Sequence, residues 1–420
     1  MAEPARRNLL MIAPAMPDVA GNGLAMRIGH QIEALSENWN VHLVVFASAG
    51  VRSRGLPDGM APFVTRWFEL PYRDLVDPQF RAIEVASSGG DHLAAVRRFG
   101  RPNAAHWDPA RIADAVFAVF ADVPFDAVFV MRSYLAELAR RYFSLPQRPL
   151  IVLDADDDDV AAHERFARLR QQVGDPYGAA LDRVESRHYA AWEADWLPRF
   201  DTVFAASPVD AARLAGRVPA ARLAVLPNVV RTPPDVPSGP AVRDIPLLMV
   251  GNFGYLPNAE AAVFLCREVL PRLQDNDVAA RIALVGSSPL PAVTALARLP
   301  DVELIVGPPD IADFYRRATI AVAPIHAGGG TRIKLLEAFA FGVPVVATTL
   351  AAEGLAVTHA RELFLADDAS SFATACATLL EQPSLRRLIA LQARQLHAAR
   401  YSMAALRATL APLADAAARR

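Results

Sequence analysis

Apolar positions along the chain fall into two kinds of run that alternate from end to end. Short, nearly continuous runs rich in β-branched residues stand at 8–13 (NLLMIA), 41–47, 127–131 (AVFVM), 149–155 (PLIVLDA), 202–207 and 223–228. Runs of that length and continuity are the mark of strands buried on both faces. Between them lie segments of helical period at 22–38, 109–121, 133–143, 158–172, 178–197 and 208–215. This alternation predicts a doubly wound α/β domain with a parallel sheet. A proline-dense stretch from Thr232 to Pro246, TPPDVPSGPAVRDIP, has no period and reads as an extended linker. The alternation then restarts, with strands at 246–251, 281–286, 302–307, 320–325, 344–348 and 362–366. Helices are expected at 258–273, 290–298, 310–317, 331–341, 370–381 and 384–397. The predicted organisation is therefore an N-terminal domain over 1–231, a linker over 232–246 and a second α/β domain over 247–397. A C-terminal helix within 398–420 is left to pack back on one of them, the N-terminal domain for choice.

One stretch, 72–107, fits neither period. Trp67, Tyr72, Phe80, Phe99 and Trp107 lie in or beside it, with Arg73, Arg81, Arg97, Arg98 and Arg101 interspersed. Two readings stay open: an amphipathic helical insertion whose aromatics are core, and an acceptor-facing or membrane-surface lobe.

Composition narrows the function classes. A length of 420 residues suits two domains. With 53% hydrophobic residues, 21% charged and a net charge of -2, the chain is neither a disordered tail nor a nucleic-acid binder with a strong basic field. Two cysteines, Cys266 and Cys376, make no zinc cluster and no disulfide framework, so a reducing cytoplasm is the expected compartment. The apolar run after Arg6 and Arg7 is broken by Pro14 and Pro17 and reads as a first strand, not a leader. No stretch reaches the roughly 18–20 apolar residues of a spanning helix, so membrane contact is expected to be peripheral if present. Of the 43 Lys and Arg residues, 42 are Arg; the one lysine is Lys334.

In open parallel sheets, ligands bind beyond the carboxyl ends of the strands. The first such loop, Pro14 to Gly23, contains Asp18, Gly21 and Gly23 and opens a helix, an arrangement suited to an anion. As a dinucleotide fingerprint it fails: Met26 stands at the third glycine, and the second strand ends without an acidic residue. Arg132, after AVFVM, is a candidate contact to donor or acceptor. The run Asp154-Ala155-Asp156-Asp157-Asp158-Asp159 suits either a divalent cation or a helix N-cap. The cap is favoured, because a whole second domain has no place in the single-domain, metal-dependent transferases; Asp154 is retained as a cleft-lining candidate. His30, His106, His163 and His326 are candidate polar contacts, each weighed more heavily as structural.

The richest stretch follows the predicted strand at 320–325. His326 precedes Gly328, Gly329 and Gly330, and the helix after them places Thr331, Arg332 and Lys334 in its first turn. A glycine nest feeding a helix start is a phosphate cradle. Lys334 and Glu337 are three apart and share a face, so a diphosphate over the loop would leave Glu337 to accept hydrogen bonds from a ribose. Such a charge-assisted bond is worth about 1.5–3 kcal/mol, against a few tenths for the alternative, a solvated surface pair.

The segment GGGTRIKLLEAFAFGVPVVATTLAAEGL resembles the donor-binding signature of two-Rossmann-domain (GT-B) glycosyltransferases in the large retaining family called family 4 or group 1. GNFGYLPNAEAAVFLCREVLPRL at 251–273, ASPVDAARL at 206–214 and LPNVV at 226–230 fall in the family's order, so the resemblance covers most of the chain. It implies two doubly wound domains facing across a cleft, the donor nucleotide sugar held by the C-terminal one and the acceptor by the N-terminal one. It also implies a leaving diphosphate stabilised by loop amides with Arg332 and Lys334 and no metal, base contact through the backbone of the loop starting at Gly307, and Glu337 as ribose ligand. Two departures stand out. Gly329 occupies the place of the family's first glutamate, and 251–258, GNFGYLPN, lacks the family's Arg/Lys pair.

The function expected is a retaining, metal-independent hexosyltransferase of polysaccharide or glycoconjugate biosynthesis. Its donor would be a nucleotide diphosphate sugar and its acceptor a glycan, a lipid-linked or a small molecule. No cofactor and no nucleic acid are expected. The compartment is the cytoplasm, with contact at the inner face of the membrane left open. Two alternatives remain: a nucleotide-sugar 2-epimerase on the same fold, and a catalytically silent nucleotide-binding partner of an active transferase.

Overall fold

The computed structural model describes residues 6–19, 21, 23–46, 55–71, 75–86, 90–234, 243–330 and 332–420. It divides into two compact units, 1–228 with 406–420, and 229–405. Most of the linker expected at 232–246 lies outside the described residues, as do Tyr72, Arg73 and Thr331.

The first unit holds seven strands: β1 (Arg7–Ala13), β2 (Trp39–Phe46), β3 (Arg66–Leu70), β4 (Ala127–Met131), β5 (Leu150–Asp156), β6 (Thr202–Ala205) and β7 (Leu223–Val225). They pair in the order β3-β2-β1-β4-β5-β6-β7, all parallel. The central strands are buried along nearly their whole length, which is why they read as continuous apolar runs. β3 was not expected from the sequence. It is an edge strand whose residues Arg66 to Phe68 face solvent, Trp67 at 38% and Phe68 at 44% exposure, so no apolar run announces it.

The stretch 72–107 folds into two short helices, Pro78–Val85 and Gly90–Phe99. Ile83, Val96 and Phe99 form a small core with Val184 of the helix Pro176–Trp196, and Trp107 enters the main core, so the helical reading holds and two of the aromatics are buried. The expected helix at 133–143 is a tighter 3-10 segment, Ser133–Ala139, running into a single α-turn, Arg140–Phe143. The C-terminal segment returns to this unit: Arg407 pairs with Glu33 at 3.1 Å and Arg420 with Asp201 at 2.6 Å.

The second unit has β8 (Ile245–Asn252), β9 (Ile282–Ser287), β10 (Val302–Val306), β11 (Ala318–Ala323), β12 (Val345–Ala347) and β13 (Phe364–Leu365). Their order is β10-β9-β8-β11-β12-β13, again all parallel. β11 begins and ends two residues earlier than expected, and Pro324 follows it. The helix expected at 258–273 starts at Leu256 and widens into a π-turn over Leu265–Val269 before Pro271, which has no N–H to donate in the next turn. In each sheet the strand order reverses once, between β1 and β4 and between β8 and β11. The loops beyond those strands are where such a fold binds ligands. No described helix is long and apolar enough to cross a membrane.

Candidate functional site

In the second unit the switch-point loops follow β8 and β11. The chain leaves β11 through Pro324 and Ile325 and turns at Gly328 and Gly330, whose φ values are +101° and +70°. At Gly328 the conformation favours glycine, and a Cβ there would lie 2.8 Å from the Tyr255 hydroxyl, which would have to move. The helix that follows runs Ile333–Ala340 with Arg332 as its N-cap, two residues later than the sequence suggested. Lys334 is therefore in its first turn, and Arg332 precedes it. The Arg332 guanidinium folds back on the loop, donating to Ala327 O at 3.2 Å and to Gly329 O. That braces the glycines from behind, where the sequence reading had it directed at phosphate.

Lys334 extends to the other loop, its Nζ donating to Asn258 Oδ1 at 2.8 Å. Burial, with the neighbouring charge of Arg332, brings its ammonium down to about 7, against the pull of Glu337. Glu337 is buried beneath it and accepts from the Tyr315 hydroxyl at 2.8 Å, while Tyr315 stacks on Phe341. Burial raises the Glu337 carboxyl above its ordinary value, opposed by that hydroxyl and by Lys334. The unit thus presents, at one switch point, glycine amides, an ammonium and a carboxylate on one helix face. Lys334 and Glu337 lie on the helix Ile333–Ala340 that follows Gly328, Gly329 and Gly330, with the Lys334 ammonium directed to Asn258.

Two other donor candidates of this unit lie at its periphery. Gly307 has φ +64° and its N–H donates to Gly286 O at 2.6 Å, turning the chain at the end of β10. His326 is exposed, packs edge-on against Phe264 and sits 3.3 Å from Asp367 O.

In the first unit four carboxylates share two guanidiniums. Asp154 was expected to line a cleft; it is fully buried instead. It accepts from Arg27 Nε and Nη2 at 2.7 Å each, from Gln31 Nε2 at 2.7 Å and from Asp156 N at 3.1 Å. With four donors on two oxygens, no lone pair points outward, and Asp154 is a scaffold residue. Burial works against the Arg27 charge, yet Asp154 and Asp156 hold its proton more firmly than usual. Arg132 meets Asp156 at 3.1 Å, Asp157 at 3.3 Å and Asp159 at 2.6 Å. Arg132 and Asp156 both have positive φ, 72° and 62°, so the ends of β4 and β5 carry backbone strain that the ion pairs hold in place. Burial and Asp156 push the Asp157 carboxyl up to about 7, against Arg132. Asp158 is the N-cap of the helix Asp159–Gln172, accepting from Ala161 N at 3.2 Å, as the cap reading required. Among the described residues, no group of three or more His, Cys, Asp or Glu is arranged to hold a metal ion.

The remaining first-unit candidates are scattered. Asp18 accepts from Val19 N at 2.7 Å, and its backbone lies against Gly29, where a Cβ would come within 2.2 Å of Asp18 O. Gly21 is exposed with φ +108°, and Gly23 opens the helix Gly23–Ser36. His30 is buried in that helix, His163 bonds Asp182 at 2.8 Å, and His106 lies 3.0 Å from Asn103 O.

Sequence reasoning missed Asn258, Tyr255, Tyr315, Arg27 and Gln31. Asn258 stood in a segment noted for its place in the family's order and for its missing Arg/Lys pair.

Residues 245–382 match the family model described as glycosyl transferases group 1. No curated protein matches the sequence. Among solved structures, the chain is similar to sucrose-phosphate synthase from Thermosynechococcus elongatus, with 17% identity, 98% of this chain and 99% of that one covered, and a TM-score of 0.69. It is similar also to α,α-trehalose 6-phosphate synthase from Burkholderia multivorans, at 13% identity, with 99% of each chain covered and a TM-score of 0.65. A third is the Anabaena protein HepE, solved in complex with UDP and glucose, at 14% identity, 98% and 100% coverage and a TM-score of 0.62. With a group 1 glycosyltransferase domain over residues 245–382 and two parallel-sheet α/β units in the GT-B arrangement of strands, the chain is a glycosyltransferase.

Proposed function

We propose that the chain transfers a sugar, with retention at the anomeric carbon and without a divalent cation, from a nucleotide diphosphate sugar to a glycan, lipid-linked or small-molecule acceptor. The observation that carries this reading is the Lys334 ammonium, part-buried on the helix that follows the three glycines and hydrogen-bonded to a neutral amide. The donor diphosphate lies over Gly328–Gly330 against Lys334, with its ribose on Glu337. The bond from the anomeric carbon to the diphosphate oxygen breaks, and a bond from that carbon to the acceptor oxygen forms on the same face. The acceptor proton passes to the departing diphosphate, so no separate base is needed. Loop amides and the ammonium stabilise the charge that builds on the leaving group. The complex of HepE with UDP and glucose makes UDP the first nucleotide to try.

The test is calorimetric titration with UDP, GDP and ADP, with chelator present, on the wild type and Lys334→Ala. Micromolar binding of one nucleotide, weakened at least about tenfold in the variant, is expected. Binding that demands a divalent cation, or equal binding by both proteins, refutes the site. Gly329, in place of a glutamate, favours one second reading, a silent nucleotide-binding partner. Tight nucleotide binding with neither transfer nor slow donor hydrolysis over a broad set of acceptors would select it.

A further inference from the structure

The loop after β8 carries no lysine or arginine, yet it is the loop that Lys334 reaches. The amide it meets is fixed at both ends. Asn258 Oδ1 accepts from Lys334 Nζ at 2.8 Å, and Asn258 Nδ2 donates to Asn252 O at 2.8 Å. Turning the amide over would set donor against donor at one end and acceptor against acceptor at the other. The surrounding backbone is cut to fit. A Cβ on Gly251 would lie 3.1 Å from both Asn258 Nδ2 and Lys334 Nζ. Its neighbour across β8 and β9 is Gly286, where a Cβ would stand 1.7 Å from Gly251 O. Gly251 therefore clears the room for the ammonium–amide contact, and Gly286 clears the room for the Gly251 backbone.

The chemistry of the partner matters as much as its position. A carboxylate there would hold the lysine equally well but would cancel its charge. An amide oxygen satisfies one of the three ammonium donors and fixes the long side chain while adding no negative charge beyond that of Glu337. We infer that Asn258 is a positioning residue that holds the Lys334 ammonium at the glycine loop while leaving its charge for a ligand phosphate. The inference rests on the donor-site reading proposed above.

The groups facing Lys334 are Arg332 before it and Glu337 one turn on. Tyr315, from the helix Ala312–Arg317, donates to Lys334 O at 3.3 Å and to Glu337 Oε2, and Asn258 comes from the helix Leu256–Phe264. With the ammonium brought down to about 7, the wild type holds a diphosphate best below that pH and loses affinity as pH rises through it.

The discriminating variant is Asn258→Asp, nearly the same in shape and opposite in effect on charge; Asn258→Ala removes the contact without adding a charge. Each is titrated with UDP, GDP and ADP by calorimetry from about pH 6 to 9, beside the wild type and Lys334→Ala, with melting temperatures as a check on folding. Asn258→Asp is expected to lose about tenfold or more in affinity near pH 6.5. Its fall in affinity should also move to higher pH, because a carboxylate stabilises the ammonium. Asn258→Ala should weaken binding without that upward move. Wild-type affinity and an unchanged pH profile in both folded Asn258 variants overturn the inference while leaving the donor site standing. If the wild type binds none of the three nucleotides, or Lys334→Ala binds as well as the wild type, the donor-site reading itself fails.

Discussion

Replacing Asp154 by Asn tests whether the carboxyl ends of β1, β4 and β5 are scaffold or ligand site. The substitution keeps the shape and removes the charge. Arg27, 4% exposed, then loses its bidentate partner at 2.7 Å and keeps the Leu226 carbonyl at 2.9 Å and Asp156, whose Oδ1 is 3.3 Å from Arg27 Nε. One end of the new side chain is an NH2 that sets donor against donor at Arg27 or Gln31. Removing one partner of a buried ion pair costs about 3–5 kcal/mol, and the surviving Asp156 contact argues for the lower end. At roughly 2–4 °C per kcal/mol for a unit of this size, about 3 kcal/mol lowers the melting temperature of the first unit by roughly 6–12 °C. Calorimetric unfolding at pH 7 reads this directly. Nucleotide affinity, carried by second-unit residues, should stay at the wild-type value. A loss under about 1 kcal/mol would mean that the four hydrogen bonds to Asp154 do not order these strands. A folded variant that no longer binds nucleotide would return Asp154 to the ligand site.

Two further substitutions probe the second unit. Lys334→Met should abolish nucleotide binding yet raise stability near neutral pH. A lysine whose proton is held less firmly in the folded state, down to about 7 from 10.5, burdens folding fully below pH 7 and not at all above 10.5. The variant's advantage in denaturant unfolding should therefore shrink between those limits; an advantage that is absent, or constant with pH, contradicts the burial argument. Tyr315→Phe deletes the 2.8 Å donor to Glu337 and lets burial raise that carboxyl further. UDP affinity should fall about fivefold to tenfold and discrimination against 2′-deoxy-UDP should narrow; unchanged values in both titrations would remove Glu337 from the ribose.

Legibility in the sequence followed physical reach. Strands buried on both faces wrote themselves as apolar runs, and twelve of the thirteen were anticipated; β3 was not, because an edge strand with Trp67 and Phe68 in solvent has no such run. Lys334 and the glycines were visible because a nest and a helix start are local in the chain and because the lysine stands alone among arginines. Their partners were not. Asn258 meets Lys334 across 76 positions, and Arg27 meets Asp154 across 127, contacts created only when β8 is laid beside β11 and β1 beside β4. The same distance explains the misreading of Asp154: as a residue in an acidic run it looked available, and only the fold supplies the helix Gly23–Ser36 that consumes it.

The two units place equivalent loops at equivalent switch points and treat charge there in opposite ways. In the first, Asp154, Asp156, Asp157 and Asp159 share Arg27 and Arg132, so the cost of burial is met within the protein. In the second, Lys334 is given an amide, and Arg332, the nearest cation, is spent on loop carbonyls. An ammonium in a part-buried site, offset in part by Glu337, costs stability, and packing does not require it, since Met would fill the same volume. On the donor-site reading proposed above, a bound diphosphate offsets that cost with a counter-charge from outside, whereas the first switch point shares its charge among its own residues.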